Sequence, residues 1–315
     1  MSEPYAPLDA AYAAARWGWY LAAFLILGAG SYAPFLIRIR TGVDATHPEL
    51  ATDLARRAAR IGAGAATALL LLTTLRLYLQ TRTLLDPGEP VSADLLRATL
   101  ATRWGHGWTR QALMALLAGL AFLPASRGSR PGWMVAAAAS GGLGLTAGMT
   151  GHSVTERAGA GGFLLDAAHI WAGGLWLGSL AVLLIAGFGA CRGVEAGERP
   201  LLLRALVADF SRRALLFGPL AMGLGVWLAV RYLGWGWPLH LTGSGYGIAL
   251  AVKLAALAAV AAMGVWNWRV VRPALARPGG EARLRRSARL ELMFGALLLA
   301  ATAVLVALPF PGEEM

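Results

Sequence analysis

The chain is poor in charge, in lysine and in cysteine, and each shortage removes a class of function. Charged residues make up 14% of its 315 positions and hydrophobic ones 57%, whereas an ordinary soluble protein is about 25% charged. That balance places the chain in the membrane class. The single cysteine, Cys191, excludes an intramolecular disulfide and any metal centre built on several thiolates. CxxC pairs, a phosphate-binding glycine loop and a Ser-His-Asp arrangement are absent, so the sequence does not read as an enzyme. Lysine occurs once, at Lys253, and the other cations are arginines, giving a formal charge of +11. In a soluble protein that excess would point to nucleic acid. Here the arginines lie between apolar blocks, which is the pattern that sets membrane orientation, and no nucleic-acid partner is expected.

What the chain has in abundance is long apolar runs. A helix needs roughly 20 mostly apolar residues to cross a bilayer. Eight segments qualify, at about 17–37, 59–80, 107–124, 131–149, 163–189, 212–233, 246–268 and 289–309, the third and fourth being the shortest. They fill most of 1–315, so the expected fold is all-α, a single polytopic transmembrane bundle surrounded by lipid. The start is acidic before Arg16 and lacks the basic opening of a signal peptide, so the first segment is expected to remain as a helix. The connections after the first, third, fifth and seventh segments carry nineteen arginines, and the alternate loops with the N-terminus carry five. The positive-inside rule puts the arginine-rich side in the cytoplasm, and eight spans then leave both termini outside.

That orientation sorts the five histidines. His106 falls at the outer start of the third segment, His152 just past the outer end of the fourth, and His169 in the outer part of the fifth. At 1.5 Å per residue, His169 lies roughly 9 Å below Phe163. His240 is in an outer loop, and His47 alone is cytoplasmic. Imidazole is a common ligand for copper, zinc and haem iron. His152 and His169 flank one short connection and form the first-choice pair, against the plainer reading of two interfacial side chains satisfied by water. Met149, three residues before His152, offers a thioether suited to Cu(I). His106 is a weaker candidate, with Arg110 one turn on.

Asp166 precedes His169 by one turn, so both share a helix face. A carboxylate there can orient a ligating histidine or simply favour the helix N-terminus. Lys253 sits at a similar depth, where an ammonium must pair, line a wet cavity or snorkel; Asp166 is the expected partner. Trp176 follows His169 by seven residues and can wall a site. Asn267 and Glu291, near the cytoplasmic ends of the last two segments, are candidates for the inner end of a polar path. The spacing Gly174-Leu-Trp-Leu-Gly178 suits close helix packing.

Several stretches together resemble the copper resistance protein D (CopD) family of bacterial inner-membrane proteins. They are Gly151-His152, DAAHIWAGGLWLGSL at 166–180, DFSRRALLFGPLAMGLG at 209–225, YGIALAVKLAALAAVAAMGVWNWR at 246–269 and LELMFGALLLAATAVLVALP at 290–309. The likeness spans about 149–309. Arg212 and Arg213 depart from it, standing where a more apolar continuation is expected. The resemblance implies copper transport across the inner membrane, from periplasm towards cytoplasm, with His152 and His169 as ligands. Asp166, Lys253, Asn267 and Glu291 become family-patterned polar positions, and a CopC-like periplasmic copper protein, as a separate chain, becomes the expected partner. It leaves the copper oxidation state and any oligomer undetermined. Two other readings stay open: a haem-binding electron carrier with axial histidines, and an assembly factor that holds copper without moving it.

Overall fold

The computed structural model describes residues 7–34, 48–86, 88–147, 149, 159–195, 197–240 and 244–308. His47 and His152 lie outside the described residues, and so does the expected approach of His152 to His169. Among the described residues the regular structure is helical throughout, as the apolar runs predict. Six helices are long and apolar enough to cross a membrane. In chain order with the intervening ones they are α1 (Pro7–Gly30), α2 (Pro48–Arg82), α3 (Ala93–Ala101), α4 (Arg103–Ala125), α5 (Arg130–Ala147), α6 (Gly161–Cys191), α7 (Arg199–Leu233), α8 (Gly245–Val271) and α9 (Gly280–Leu305). The exceptions are the short α3 and the α4–α5 pair. α4 and α5 coincide with the third and fourth expected spans but do not combine the length and apolarity of the six.

The observed helices run past the expected limits mainly on the arginine-rich side. α2 begins at Pro48 where the pattern predicts about 59, α7 at Arg199 where it predicts 212, and α9 at Gly280 where it predicts 289. These extra turns are too polar for a hydropathy window to capture. They are held instead by pairs one turn apart, such as Arg57 with Asp53 at 2.7 Å and Arg285 with Glu281 at 2.7 Å. At other ends the caps are local: Ser92 Oγ accepts from Leu95 N, Thr102 Oγ1 from Gly105 N and Ser244 Oγ from Gly247 N. Gly234, with φ 78°, closes α7 in a conformation that a side chain would resist.

α6 is the central helix. Of its most apolar stretch 72% is buried by other helices, against 22% for α7 and for α8. Two wide π-helical turns interrupt it, Gly174–Gly178 and Leu183–Gly187. The first brings Gly178 against Gly28 of α1 backbone to backbone, with Gly174 against Leu27. Around this contact lies a core containing Trp19, Ile26, Leu69, Phe122, Trp133 and Val182. Phe122 of α4 and Trp133 of α5 meet edge to face at 5.9 Å. Leu71, Leu120, Leu215, Ile248 and Met293 remain exposed, the natural place for lipid contact.

The two ends of the bundle can be told apart. Arg16 in α1 donates to the Val306 carbonyl just past α9 at 3.0 Å, so these ends lie together. At the opposite end of α1, Ser31 and Tyr32 meet Arg213 of α7.

Candidate functional site

Successive turns of α6 carry Asp166, His169 and Trp176 along one face, and all three line a cavity of about 330 Å³. Tyr20 and Phe24 of α1, Ala221, Met222, Gly225 and Tyr232 of α7, Tyr246 and Lys253 of α8, and Thr302 of α9 complete its walls. Most of the lining is apolar. The polar side chains gather towards the end where α6 and α8 begin and α7 finishes.

Each polar group has a definite anchor or lacks one. His169 Nδ1 lies 2.9 Å from the Ala221 carbonyl oxygen. A carbonyl can only accept, so Nδ1 carries a proton, and in the neutral form of the ring Nε2 is the nitrogen that keeps its lone pair. Gly225, one turn further along α7, leaves room for the ring; a Cβ there would stand 3.1 Å from His169 Cε1. Tyr232 Oη donates to Asp166 Oδ2 at 3.1 Å. Two expectations therefore change. The group that orients His169 is a backbone carbonyl of α7, because the packing of α6 on α7 brings it closer than a carboxylate on the same helix. Lys253 shares the cavity with Asp166 and feels its charge, without a direct hydrogen bond or short ion pair between the two among the described residues.

The remaining expected residues fall in two other places. At the paired ends of α4 and α5, Gly107 lies against the Met149 carbonyl and Arg110 Nη1 is 3.8 Å from Met149 Sδ. His106 is exposed one turn into α4. Met149, His106 and Arg110 thus form a group apart from the cavity, with a guanidinium beside the thioether where a metal cation would have to sit. Ala147 of α5 does reach the cavity wall.

Asn267 and Glu291 line a second cavity, about 190 Å³, between α6, α7, α8 and α9. Asn267 Nδ2 donates to Glu291 Oε2 at 2.6 Å, and Ser287 Oγ donates to Asn267 Oδ1. Glu291 is only 2% exposed, and it is the one charged side chain of that lining. Ser211 also faces this space, its hydroxyl bonded back to the Val207 carbonyl at 2.7 Å. The departure at Arg212 and Arg213 has a local reason. Arg213 forms a buried ion pair with Asp209 and reaches Ser31 Oγ at 3.1 Å, while Arg212 also touches Asp209.

Among the described residues no three His, Cys, Asp or Glu side chains converge on one point. The donors that do share a space, an imidazole nitrogen, a carboxylate and the Met222 thioether, suit a soft ion held by few ligands. Sequence reasoning passed over Tyr232, Met222 and the Ala221 carbonyl. Tyr232 at a helix end reads as an interfacial aromatic, Met222 as core, and a backbone acceptor leaves no sequence signal.

Two family models match the chain. The copper resistance protein D-like N-terminal domain matches residues 7–163, and copper resistance protein D matches residues 204–305. The chain belongs to the CopD family. It is a multi-pass membrane protein related to copper resistance. The likeness reaches further towards the N-terminus than the sequence stretches suggest, taking in α1 to α5. Lys253, Asn267 and Glu291 fall within the second match, and His106, Arg110, Met149 and His152 within the first. Asp166, His169 and Trp176 lie between the two, so their standing rests on geometry. Neither a curated protein nor a solved structure matches the chain.

Proposed function

We infer that this CopD-family protein carries copper across the bacterial inner membrane, from the periplasmic face towards the cytoplasm. The observation that supports it most is the His169 ring, tied at Nδ1 to a backbone carbonyl and so presenting an unprotonated Nε2 inside a largely apolar chamber. A neutral imidazole held in one tautomer is a ready ligand that needs no proton loss before binding. Asp166, in the same chamber, offsets the charge of an arriving cation. The inner chamber with Asn267 and Glu291 forms the onward path. All eight helices cross the membrane in this reading, α4 and α5 included, with both termini periplasmic. His152 supplies a second ligand from the α5–α6 connection, and a separate CopC-like periplasmic chain delivers the metal.

Purified protein reconstituted in sealed vesicles tests this. The parent is expected to take up copper, and His169→Ala to lose most of that uptake together with copper binding. Binding with no flux would convert the reading to a copper holder. A Soret band in the absorbance spectrum would replace it with a haem carrier. Unchanged binding and uptake in His169→Ala would remove the site.

A further inference from the structure

The outer and inner cavities share two side chains in their linings, Trp176 and Met222. Of the methionines among the described residues, Met222 alone lines either cavity. The others are placed elsewhere: Met149 beside Arg110, Met114 against Gly142, Met134 and Met293 at the exposed surface, and Met263 half-buried on α8 outside both linings. A methionine used as core filler is enclosed by packing. Met222 packs with the cluster around Trp176 on one side yet borders open space both above and below.

The neighbours of this pair are also informative. The Ala221 carbonyl that fixes His169 belongs to the residue next to Met222, so the imidazole is anchored at the base of the outer cavity. Trp176 is 5% exposed, and Gly218 of α7 lies against its indole ring, where an added Cβ would stand 3.5 Å away. Below the pair, Glu291 is the single charged group lining the inner cavity. An ion moving between the cavities thus meets a thioether and an indole face, two polarizable and uncharged groups, before any carboxylate. Thioethers select Cu(I) over harder ions, and tryptophan is the best aromatic surface for a cation. Desolvation cost rises steeply with ionic charge, so a partition with no formal charge favours a monovalent ion.

We propose that Met222 and Trp176 form the transfer point between the two cavities and that copper crosses it as Cu(I), bound in passing by Met222 Sδ. This rests on the transport reading above and adds to it the oxidation state of the cargo and a ligand. The handover runs from His169 Nε2 to Met222 Sδ and then to the Glu291–Asn267 pair.

The test uses the full chain in sealed vesicles, with copper kept as Cu(I) by ascorbate and Ag(I) as a soft monovalent probe that does not change oxidation state. Met222→Leu keeps the packing and removes the sulfur; Met222→Cys keeps a sulfur and loses packing. Uptake of both ions is expected to fall about tenfold or more in Met222→Leu and to recover substantially in Met222→Cys. Parental uptake in Met222→Leu would overturn the transfer point while leaving transport intact. Equal loss in both variants would make Met222 a packing residue and overturn the ligand assignment. A parent that carries Cu(II) when ascorbate is left out, but neither Cu(I) nor Ag(I), would overturn the oxidation state, and a parent that carries nothing would remove both this inference and the transport reading.

Discussion

Asp209 and Arg213 show what a single buried ion pair does in this fold. They are 2% and 6% exposed, one turn apart on α7, and Arg213 also bonds Ser31 Oγ and stands 4.6 Å over the Tyr32 ring. The pair therefore ties α7 to the end of α1. Removing one partner leaves the other charged and buried, which costs about 3–5 kcal/mol. Asp209→Asn should lower the unfolding free energy of the detergent-solubilised protein by that order, and a double change, Asp209→Asn with Arg213→Met, should recover part of it. A double variant as unstable as the single one would contradict the pairing. Tyr232→Phe is milder, since it deletes one hydrogen bond to the Asp166 carboxylate, about 1.5–3 kcal/mol. Copper binding should persist in that variant, because His169 keeps its carbonyl anchor.

Among the elements, α6 carries the greatest constraint. A Cβ on Gly178 would stand 1.9 Å from the Phe24 carbonyl oxygen, and one on Gly28 would meet the Gly178 backbone at 2.2 Å. No rotamer relieves a clash between backbones. Gly178→Ala should force α1 and α6 apart and destabilise by about 1–3 kcal/mol, as overpacked cores do. Gly64 in α2 has nothing within 4 Å of an added Cβ, so Gly64→Ala should be neutral or gain about 0.5–1 kcal/mol. Equal responses at the two glycines, followed by thermal unfolding, would refute the contact. The Gly174 to Gly178 spacing made close packing readable in advance, and apolar runs made the six membrane-length helices readable. The polar extensions of α2, α7 and α9 were not readable, because pairs such as Arg57–Asp53 support helix without adding hydropathy. The π turns were hidden as well, since their hydrogen-bond register follows from packing against α1. In the site, Asp166, His169, Trp176 and Lys253 line one chamber, a neighbourhood that helical spacing and depth suggest. Their actual partners, the Ala221 carbonyl and Tyr232, come from α7, and nothing in one sequence announces which neighbouring helix supplies a carbonyl.

At the scale of the molecule, direction depends on orientation, and orientation depends on the arginines. The bundle places the start of α1 and the end of α9 together through Arg16 and Val306. The chamber with His169 is lined at that same end by Val306 and by Trp237, in the connection after α7. Among the described residues, the arginine-rich connections after α6 and after α8 lie at the other end. If positive charge is retained inside, Trp235, 82% exposed after α7, faces the periplasm and the exposed Arg277 faces the cytoplasm. Replacing the buried Cys191 with alanine gives a background for labelling with a maleimide that does not cross membranes. Trp235→Cys should then react in intact spheroplasts, while Arg277→Cys should react only after the membrane is opened. The reverse pattern would turn the molecule over. His169 would then sit on the cytoplasmic side, Glu291 would become the entry, and the same two chambers would carry copper outward.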